Sequence, residues 1–241
     1  MITGKIKQIE TMGLVDGPGI RVVIFMQGCP LRCIFCHNPE MQEYDGGTKY
    51  APQDVLRIVL KYKNYFGNQG GVTFSGGEPL AQPEFLLECL RLCKEEGINT
   101  CLDTSGVGND KFNEKILSYV DLVILDIKAL TNDKYKEMTN LSIDKNLEFL
   151  DLCQKLNKKL WLRNVIVPGI NDTENYIKSL ATFIKPLSNV EKVELLPYHT
   201  MGKIKYEKLN REYKLIDTLP MDPNICKDLE NKLRELIKIS D

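Results

Sequence analysis

The segment Gln27-Gly28-Cys29-Pro30-Leu31-Arg32-Cys33-Ile34-Phe35-Cys36-His37-Asn38 contains three cysteines within eight residues. Because each residue advances a chain by at most about 3.5 Å, the thiolates of Cys29, Cys33 and Cys36 can reach one soft metal centre. Four cysteines would complete the ligand set of a zinc ion or of an iron–sulfur cube. Three thiolates leave one iron of such a cube free for an exogenous ligand. The segment therefore predicts a reactive iron–sulfur site.

The composition limits the classes of protein to which the chain can belong. The 241 residues are 43% hydrophobic, which is enough for one sizeable core, and no linker divides them, so we expect a single domain over residues 1–241. The 32 basic and 33 acidic residues give a formal net charge of −1 and form no basic stripe, which argues against nucleic-acid binding. The first residues lack the apolar core of a signal peptide, and no 18-residue apolar run exists. We therefore expect a cytoplasmic protein that does not cross a membrane and whose eight cysteines stay reduced.

A strand–helix unit repeats along most of the chain, after an alternating strand at residues 2–10 and a turn-rich loop at 11–19. Apolar runs predict six further strands, at 21–26, 72–74, 99–102, 122–125, 160–167 and 192–196. Helical spacing predicts helices at 52–66, 83–95, 111–119, 133–138, 143–155, 172–184 and 224–239. Six successive units over residues 21–241 indicate an α/β fold with a parallel sheet, either open or curled into an incomplete barrel.

The loop at residues 11–19 is rich in residues that break regular structure, with glycine at 13, 17 and 19 and proline at 18. One interpretation is a plain connector between two strands. The other is a substrate-facing loop in which Asp16 makes a polar contact.

Polar residues follow the strands at the edge where parallel α/β folds bind ligands, beyond the carboxyl ends. They are Cys29, Cys33 and Cys36 after the first unit's strand, Ser75–Pro79 after the second, Asp103–Gly106 after the third, Asp126–Lys128 after the fourth and Pro197–His199 after the sixth, with Arg163 inside the fifth. Charged groups that end apolar strands are costly without a ligand or a partner. The sequence therefore predicts a ligand site at this edge.

Several of these residues have a structural alternative. Glu78 beside two glycines can accept a hydrogen bond from a ligand ammonium, whereas a Gly-Gly pair alone is usually a tight turn. Asp103 and Thr104 can cap the next helix, or Asp103 and Asp126 can hold a small cation. Asp126 and Lys128 can form a mere ion pair, and Arg163 can pair with a neighbouring carboxylate or bind a ligand carboxylate.

The chain has only two histidines, and both lie near the predicted site. His37 adjoins the cysteine segment and His199 ends the sixth strand, so we regard both as candidate site residues without making either a cluster ligand. The remaining cysteines fit core positions, as free cysteines usually do. They are Cys89, Cys93, Cys101, Cys153 and Cys226.

The Cys-x3-Cys-x2-Cys loop after a first strand, with Phe35 before the third cysteine, resembles the radical S-adenosylmethionine (SAM) superfamily. Gly76-Gly77-Glu78-Pro79 after the second strand strengthens the resemblance. The resemblance implies a partial (β/α)6 barrel of the TIM type and a [4Fe–4S] cluster bound by Cys29, Cys33 and Cys36. It also implies that the methionine part of S-adenosylmethionine chelates the fourth iron.

Further segments are similar to the activating enzymes of pyruvate formate-lyase: Gly13–Arg21, Gln27–Cys29, Cys36–Asn38, Cys101–Gly106 and Leu195–His199. The absence of cysteines between Cys36 and Cys89 excludes the ferredoxin-like insert of many related activating enzymes. This resemblance implies a cofactor site made of Phe35, Cys36, His37, Asn38, Gly77, Asp126, Ile127, Lys128 and His199, with Glu78 and Arg163 adjacent. It places Asp16 toward the partner polypeptide.

The same resemblance implies a mechanism and its partners. A flavodoxin or ferredoxin reduces the cluster, S-adenosylmethionine is cleaved to methionine and a 5′-deoxyadenosyl radical, and that radical takes a hydrogen atom from a glycine Cα of pyruvate formate-lyase. We expect a monomer, with a monovalent cation near Asp103, Thr104 and Asp126 as a side hypothesis. The alternatives are activation of a different glycyl radical enzyme, or a non-catalytic zinc-binding or electron-transfer module.

Overall fold

The computed structural model describes residues 2–238, and its strands form one open sheet in the order β3-β1-β2-β4-β5-β6-β7-β8. The strands are β1 (Gly4–Gly13), β2 (Arg21–Met26), β3 (Thr48–Tyr50), β4 (Gly71–Gly76), β5 (Asn99–Thr104), β6 (Leu122–Asp126), β7 (Lys159–Ile166) and β8 (Val190–Pro197). Strands β2 and β4–β8 are parallel, whereas β1 is antiparallel to both of its neighbours. The six parallel strands confirm the predicted partial (β/α)6 architecture, and the sheet does not close into a barrel.

Eight α-helices accompany the sheet within residues 2–238. They are α1 (Pro52–Lys61), α2 (Pro83–Glu95), α3 (Asn113–Leu117), α4 (Asn132–Thr139), α5 (Asp144–Lys155), α6 (Glu174–Ile184), α7 (Lys203–Lys208) and α8 (Pro223–Ile237). The longest, α8, has 15 residues, whereas a helix needs about 20 apolar residues to span a bilayer. None of the helices in this part of the chain is long and apolar enough to cross a membrane.

The two faces of the sheet differ in polarity because alternate residues of a strand point to opposite sides. Val22, Ile24 and Phe74 are fully buried and belong to the main hydrophobic core, which the helices complete. On the other face, the buried Arg21 donates from Nε to Thr73 Oγ1 at 2.7 Å, and Thr73 Oγ1 donates to the Asp16 carbonyl at 2.6 Å. These bonds hold the loop that follows β1 against the polar face.

The N-terminal region differs from the prediction in two ways. The first strand continues to Gly13, three residues into the predicted loop, because Gly13 pairs with Arg21 across a register shift. Strand β3 was missed, since three largely exposed residues carry no periodic signal; its pairing with Gly4–Ile6 creates it.

The helix boundaries also required correction. The first helix ends at Lys61 and not at Phe66, and a 3-10 turn follows at Lys63–Tyr65. Phe66 is buried, so its apolar spacing reflects packing and not a continued helix. Helix α7 was not predicted. The predicted closing helix is present as α8, and its predicted last residue, 239, lies outside the described residues.

Candidate active site

A cavity of about 280 Å³ lies where β4, β5 and β6 end, and we call it the active-site cavity. Twelve of the predicted site residues line it: Asp16, Cys29, Cys33, Phe35, Cys36, His37, Asn38, Gly77, Glu78, Asp126, Lys128 and Arg163. The candidate cation ligands Asp103 and Thr104 line it as well. Residues that are far apart in sequence therefore meet at the carboxyl edge of the parallel sheet, where ligands of such folds bind.

The cysteine segment, residues 28–36, is held in place by backbone hydrogen bonds on two sides. Arg32 N donates to Thr139 O at 2.8 Å and Ile34 N donates to Met138 O at 2.9 Å, so the last turn of α4 supports it. On the other side, Cys29 N donates to Gln42 O at 3.1 Å. These bonds fix the backbone between the three cysteines without using their sulfur atoms.

The three thiols stand in an environment that disfavours free thiolates. Burial raises the pKa of Cys33 to about 12, and it raises the pKa values of Cys29 and Cys36 above the ordinary thiol value. A metal must therefore displace protons, and iron or zinc cations do this because they bind the thiolate form.

A zinc ion and an iron–sulfur cluster place different demands on three cysteines. Within residues 2–238, no three His, Cys, Asp or Glu side chains are close enough together to ligate one common ion. A zinc ion requires its ligands to converge on a single atom at about 2.0–2.3 Å. The cysteines of a [4Fe–4S] cluster each bind a different iron, so they stand farther apart. Three cysteines in one segment match the ligand number of such a cluster with one iron left open.

An ion pair stands beside the cysteines. Lys128 Nζ donates to Asp126 Oδ2 at 2.7 Å and lies 5.6 Å from the centre of the Phe35 ring. Burial alone would lower the pKa of Lys128, but Asp126 and Cys33 outweigh it and raise that pKa well above its ordinary value. The ammonium therefore stays charged and can attract a ligand carboxylate.

Arg163 connects three parts of the site. Its Nε donates to Glu194 Oε2 at 2.8 Å, a second nitrogen lies 3.7 Å from Asp103 Oδ2, and a third donates to the carbonyl of Val15. Burial raises the pKa of Asp103 to about 6, although the Arg163 charge opposes the shift. The arginine therefore pairs with neighbouring carboxylates, as one of the two sequence interpretations expected, and it also anchors the loop that carries Asp16.

Glu78 is almost fully buried and accepts hydrogen bonds from several groups of the chain itself. Leu80 N donates to Oε1 at 3.1 Å, Ser105 N donates to Oε2 at 2.8 Å, and the hydroxyls of Thr104 and Ser105 donate one bond each. Glu78 N in turn donates to Gly28 O at 2.8 Å. This glutamate therefore joins the turns after β4 and β5 to the cysteine segment.

Two predicted residues lie just behind the active-site cavity and do not line it. His199 stacks on His37, with ring centroids 3.5 Å apart and planes 18° apart. Burial lowers the pKa of both imidazoles, that of His37 to about 4, with the proximity of His199 contributing. Ile127 is buried, and its N–H donates to Arg163 O at 2.7 Å.

The sequence analysis missed several residues that line the active-site cavity. They are Phe25, Gln42 and Val165, whereas Leu31, Ser75, Gly76, Ser105 and Leu196 lie in segments that the sequence analysis had named. Phe25 and Val165 belong to strands that the sequence analysis predicted. Gln42 is different, because it lies in the irregular segment between the cysteines and β3, where the sequence shows no motif.

Comparisons with known proteins agree with this geometry. The model of the family described as the Radical SAM superfamily matches residues 23–181. The chain is 51% identical to the pyruvate formate-lyase-activating enzyme of Clostridium pasteurianum over 239 residues, which cover 99% of this chain and all of that one. It is 40% identical to the pyruvate formate-lyase 1-activating enzyme of Escherichia coli K12, with 91% of this chain and 90% of that protein covered. Streptococcus suis SuiB bound to its precursor peptide SuiA shares the fold, with a TM-score of 0.69 at 19% identity, over 96% of this chain and 48% of that one.

Fold, cysteine segment and family match together define an enzyme of the radical SAM superfamily, a class that uses a [4Fe–4S] cluster and S-adenosylmethionine. Within that superfamily, the chain belongs to the family of pyruvate formate-lyase-activating enzymes.

Proposed function

We propose that this protein activates pyruvate formate-lyase by forming a glycyl radical on it. The observation that carries the proposal is the meeting of three disulfide-free cysteines and an Asp–Lys pair in one cavity, in a chain 51% identical over its length to an enzyme of that name. The names of the relatives favour this target over another glycyl radical enzyme. The family match and the identity to activating enzymes argue against the zinc-binding alternative.

Cys29, Cys33 and Cys36 would hold the [4Fe–4S] cluster, which leaves the fourth iron for S-adenosylmethionine. When bound, the two cofactors supply a carbon-centred radical that can remove a hydrogen atom from a glycine Cα. The chain contributes three thiols that line the active-site cavity and a backbone that fixes their spacing.

The groups around the active-site cavity match the chemistry of S-adenosylmethionine, which carries a carboxylate, an ammonium and an adenine ring. Lys128 would attract the carboxylate, and Asp126 would accept from the ammonium. Flat surfaces for the adenine come from the ring of Phe35 and from the neutral histidine stack. The proposed cofactor site comprises Phe35, Cys36, His37, Asn38, Gly77, Glu78, Asp126, Ile127, Lys128, Arg163 and His199. Of these, Glu78, Ile127 and His199 would act mainly by positioning their neighbours.

The loop that carries Asp16 would meet the partner polypeptide. Leu14 and Val15 expose 70% and 75% of their surface, whereas Asp16 is half-buried and lines the active-site cavity. An exposed apolar tip next to a cavity-lining carboxylate suits a loop that receives a protein segment. Arg163 would keep this loop in register with the cofactor site.

A monovalent cation beside Asp103, Thr104 and Asp126 forms part of the proposal. The three residues line the same cavity, and two of them bring carboxylates whose mutual repulsion a cation would relieve. Activity in potassium or sodium buffers, compared with buffers that contain only a bulky organic cation, tests this part.

The remaining parts of the proposal concern the setting of the protein. We propose a cytoplasmic monomer with a single core domain over residues 1–241 that receives its electron from a flavodoxin or ferredoxin. The single sheet and the eight free cysteines support this setting.

The test uses the full chain, reconstituted anaerobically with iron and sulfide. With dithionite, S-adenosylmethionine and pyruvate formate-lyase, we expect 5′-deoxyadenosine and an electron paramagnetic resonance (EPR) signal of a glycyl radical on the lyase. Cys36→Ala should give neither product. Formation of 5′-deoxyadenosine without a radical on the lyase would reject this target while keeping the class of enzyme.

A further inference from the structure

A second cavity, of about 220 Å³, opens on the other side of the cysteine segment, and we call it the outer cavity. Leu31 and Phe35 line the active-site cavity, whereas Arg32 and Ile34 line the outer one. Cys33 lines both. The backbone between residues 31 and 35 is therefore a thin wall, and the outer cavity reaches a proposed cluster ligand without passing through the cofactor site.

The outer cavity has a positively charged rim. Arg32, Arg211 and Lys214 line it beside Glu212, and Glu43 pairs with the two arginines at 3.6 and 3.5 Å. Residues 203–214 contain five lysines and arginines and two glutamates, although the chain as a whole has a net charge of −1. Lys214 is exposed and forms no ion pair within the described part of the chain, so its charge is available to a partner.

The wall of the outer cavity is rigid where it meets Cys33. Tyr206 and Tyr213 pack with ring centroids 4.9 Å apart, and the Tyr206 hydroxyl donates to Cys33 O at 3.5 Å. Arg211 donates to Gln42 Oε1 at 2.6 Å and stands over the Tyr206 ring at 5.8 Å. A surface of this kind offers a preorganised contact next to the cluster ligands.

The chain segment that supplies Arg211 and Lys214 to the rim also carries exposed apolar side chains. Five of the fourteen large apolar side chains that are exposed in residues 2–238 lie between 201 and 219, and they are Met201, Ile204, Leu209, Ile216 and Leu219. Protein interfaces combine such an apolar area with charges that steer the encounter.

We propose that the surface around the outer cavity docks the electron donor, a small acidic protein that carries a low-potential flavin or iron–sulfur group. The inference rests on the proposed function, because it assumes a cluster on Cys33. In this step the donor loses one electron and the cluster gains it, and no bond is formed or broken. Docking on this side leaves the active-site cavity free for S-adenosylmethionine and the lyase. Positive charge at the rim complements the acidic partner and accelerates the encounter.

The test compares Lys214→Glu with the matched variant Lys155→Glu, which reverses a charge at the end of α5, the edge of the sheet opposite the cysteines. The probe is an acidic flavodoxin. Binding of oxidised flavodoxin is measured by titration calorimetry at low salt, and 5′-deoxyadenosine is measured with either reduced flavodoxin or dithionite. We expect Lys214→Glu to weaken flavodoxin binding and the flavodoxin-supported rate about tenfold, while the dithionite-supported rate and all values for Lys155→Glu stay at the wild-type level.

Each other outcome has a definite meaning. Equal flavodoxin binding by the two variants would overturn the docking surface, as would a wild-type protein that works with dithionite but ignores flavodoxin. A wild-type protein that yields no 5′-deoxyadenosine with dithionite would overturn the proposed function itself. Loss of the dithionite-supported rate in Lys214→Glu alone would assign the lysine to the fold of the cysteine segment and so contradict docking.

Discussion

His37 and His199 stack with their ring centroids 3.5 Å apart, which joins the cysteine segment to the end of β8. Replacing His199 by Ala removes this support, and an aromatic pair is worth about 1 kcal/mol. We therefore expect about a fivefold loss of S-adenosylmethionine affinity by calorimetry, with iron content unchanged. His199→Phe should restore most of the affinity because it keeps a flat ring. Equal affinity in the alanine variant would show that the stack has no part in binding.

Arg163 donates to Glu194 and to the Val15 carbonyl and stands 3.7 Å from the Asp103 carboxylate, and lysine cannot reach all three because its charge sits on one nitrogen. Arg163→Lys should lose about 2 kcal/mol of unfolding free energy in urea. It should also increase hydrogen exchange at residues 14–17, since the bond to the Val15 carbonyl is broken. Exchange that stays at the wild-type rate would mean that the loop is held by Arg21 and Thr73 alone.

A substitution at Glu78 tests whether this residue stabilises the fold or binds S-adenosylmethionine directly. Glu78→Ala leaves the N–H groups of Leu80 and Ser105 without their acceptor in a buried place, so we expect a loss of about 3 kcal/mol in unfolding free energy even without cofactors. Urea unfolding of the cofactor-free protein measures this loss. The control is Glu84→Ala, which changes an exposed glutamate in the first turn of α2. An unchanged midpoint together with lost S-adenosylmethionine binding would make Glu78 a direct ligand.

The ion pair between Asp121 and Lys94 should make the stability of the fold depend on pH, and this effect does not involve the active-site cavity. Burial alone would raise its pKa, but hydrogen bonds from Lys94 and Thr100 outweigh it and lower the pKa below the ordinary 3.8. A lowered carboxyl pKa stabilises the fold above pH 3.8, and this contribution is lost as the pH falls through the folded-state value. The unfolding free energy of the wild type should exceed that of Asp121→Asn by about 1 kcal/mol at pH 7, and this difference should vanish toward pH 3. A constant gap between these pH values in urea unfolding would contradict the ion-pair explanation.

The sequence predicted the repeated strand–helix order and the residues that meet at the carboxyl edge, because both follow from local periodicity and from one rule about parallel sheets. It did not predict β3, whose three residues become a strand only by pairing with Gly4–Ile6. Nor did it predict that His199 would stack on His37, since that contact depends on how β8 is placed relative to a residue 162 positions earlier.

The outer cavity is a second feature that could not be predicted from the sequence, because it is formed by residues far apart in the chain. Arg32 and Lys214 are 182 positions apart; Arg32 occupies an unspecified position of the Cys-x3-Cys motif, and Lys214 belongs to no motif. Only the packing of the segment after β8 against the cysteine segment brings them together. A single sequence carries no signal for such a surface.

The central claim is that Cys29, Cys33 and Cys36 alone hold the cluster and leave one iron open for S-adenosylmethionine. Electron–nuclear double resonance of the reduced, reconstituted protein with S-adenosylmethionine labelled with ¹⁵N at its amino group tests this claim most directly. We predict a ¹⁵N coupling to the cluster that appears only when the labelled compound is added. Absence of that coupling, with a nitrogen or sulfur of the chain bound at the fourth iron, would contradict the account.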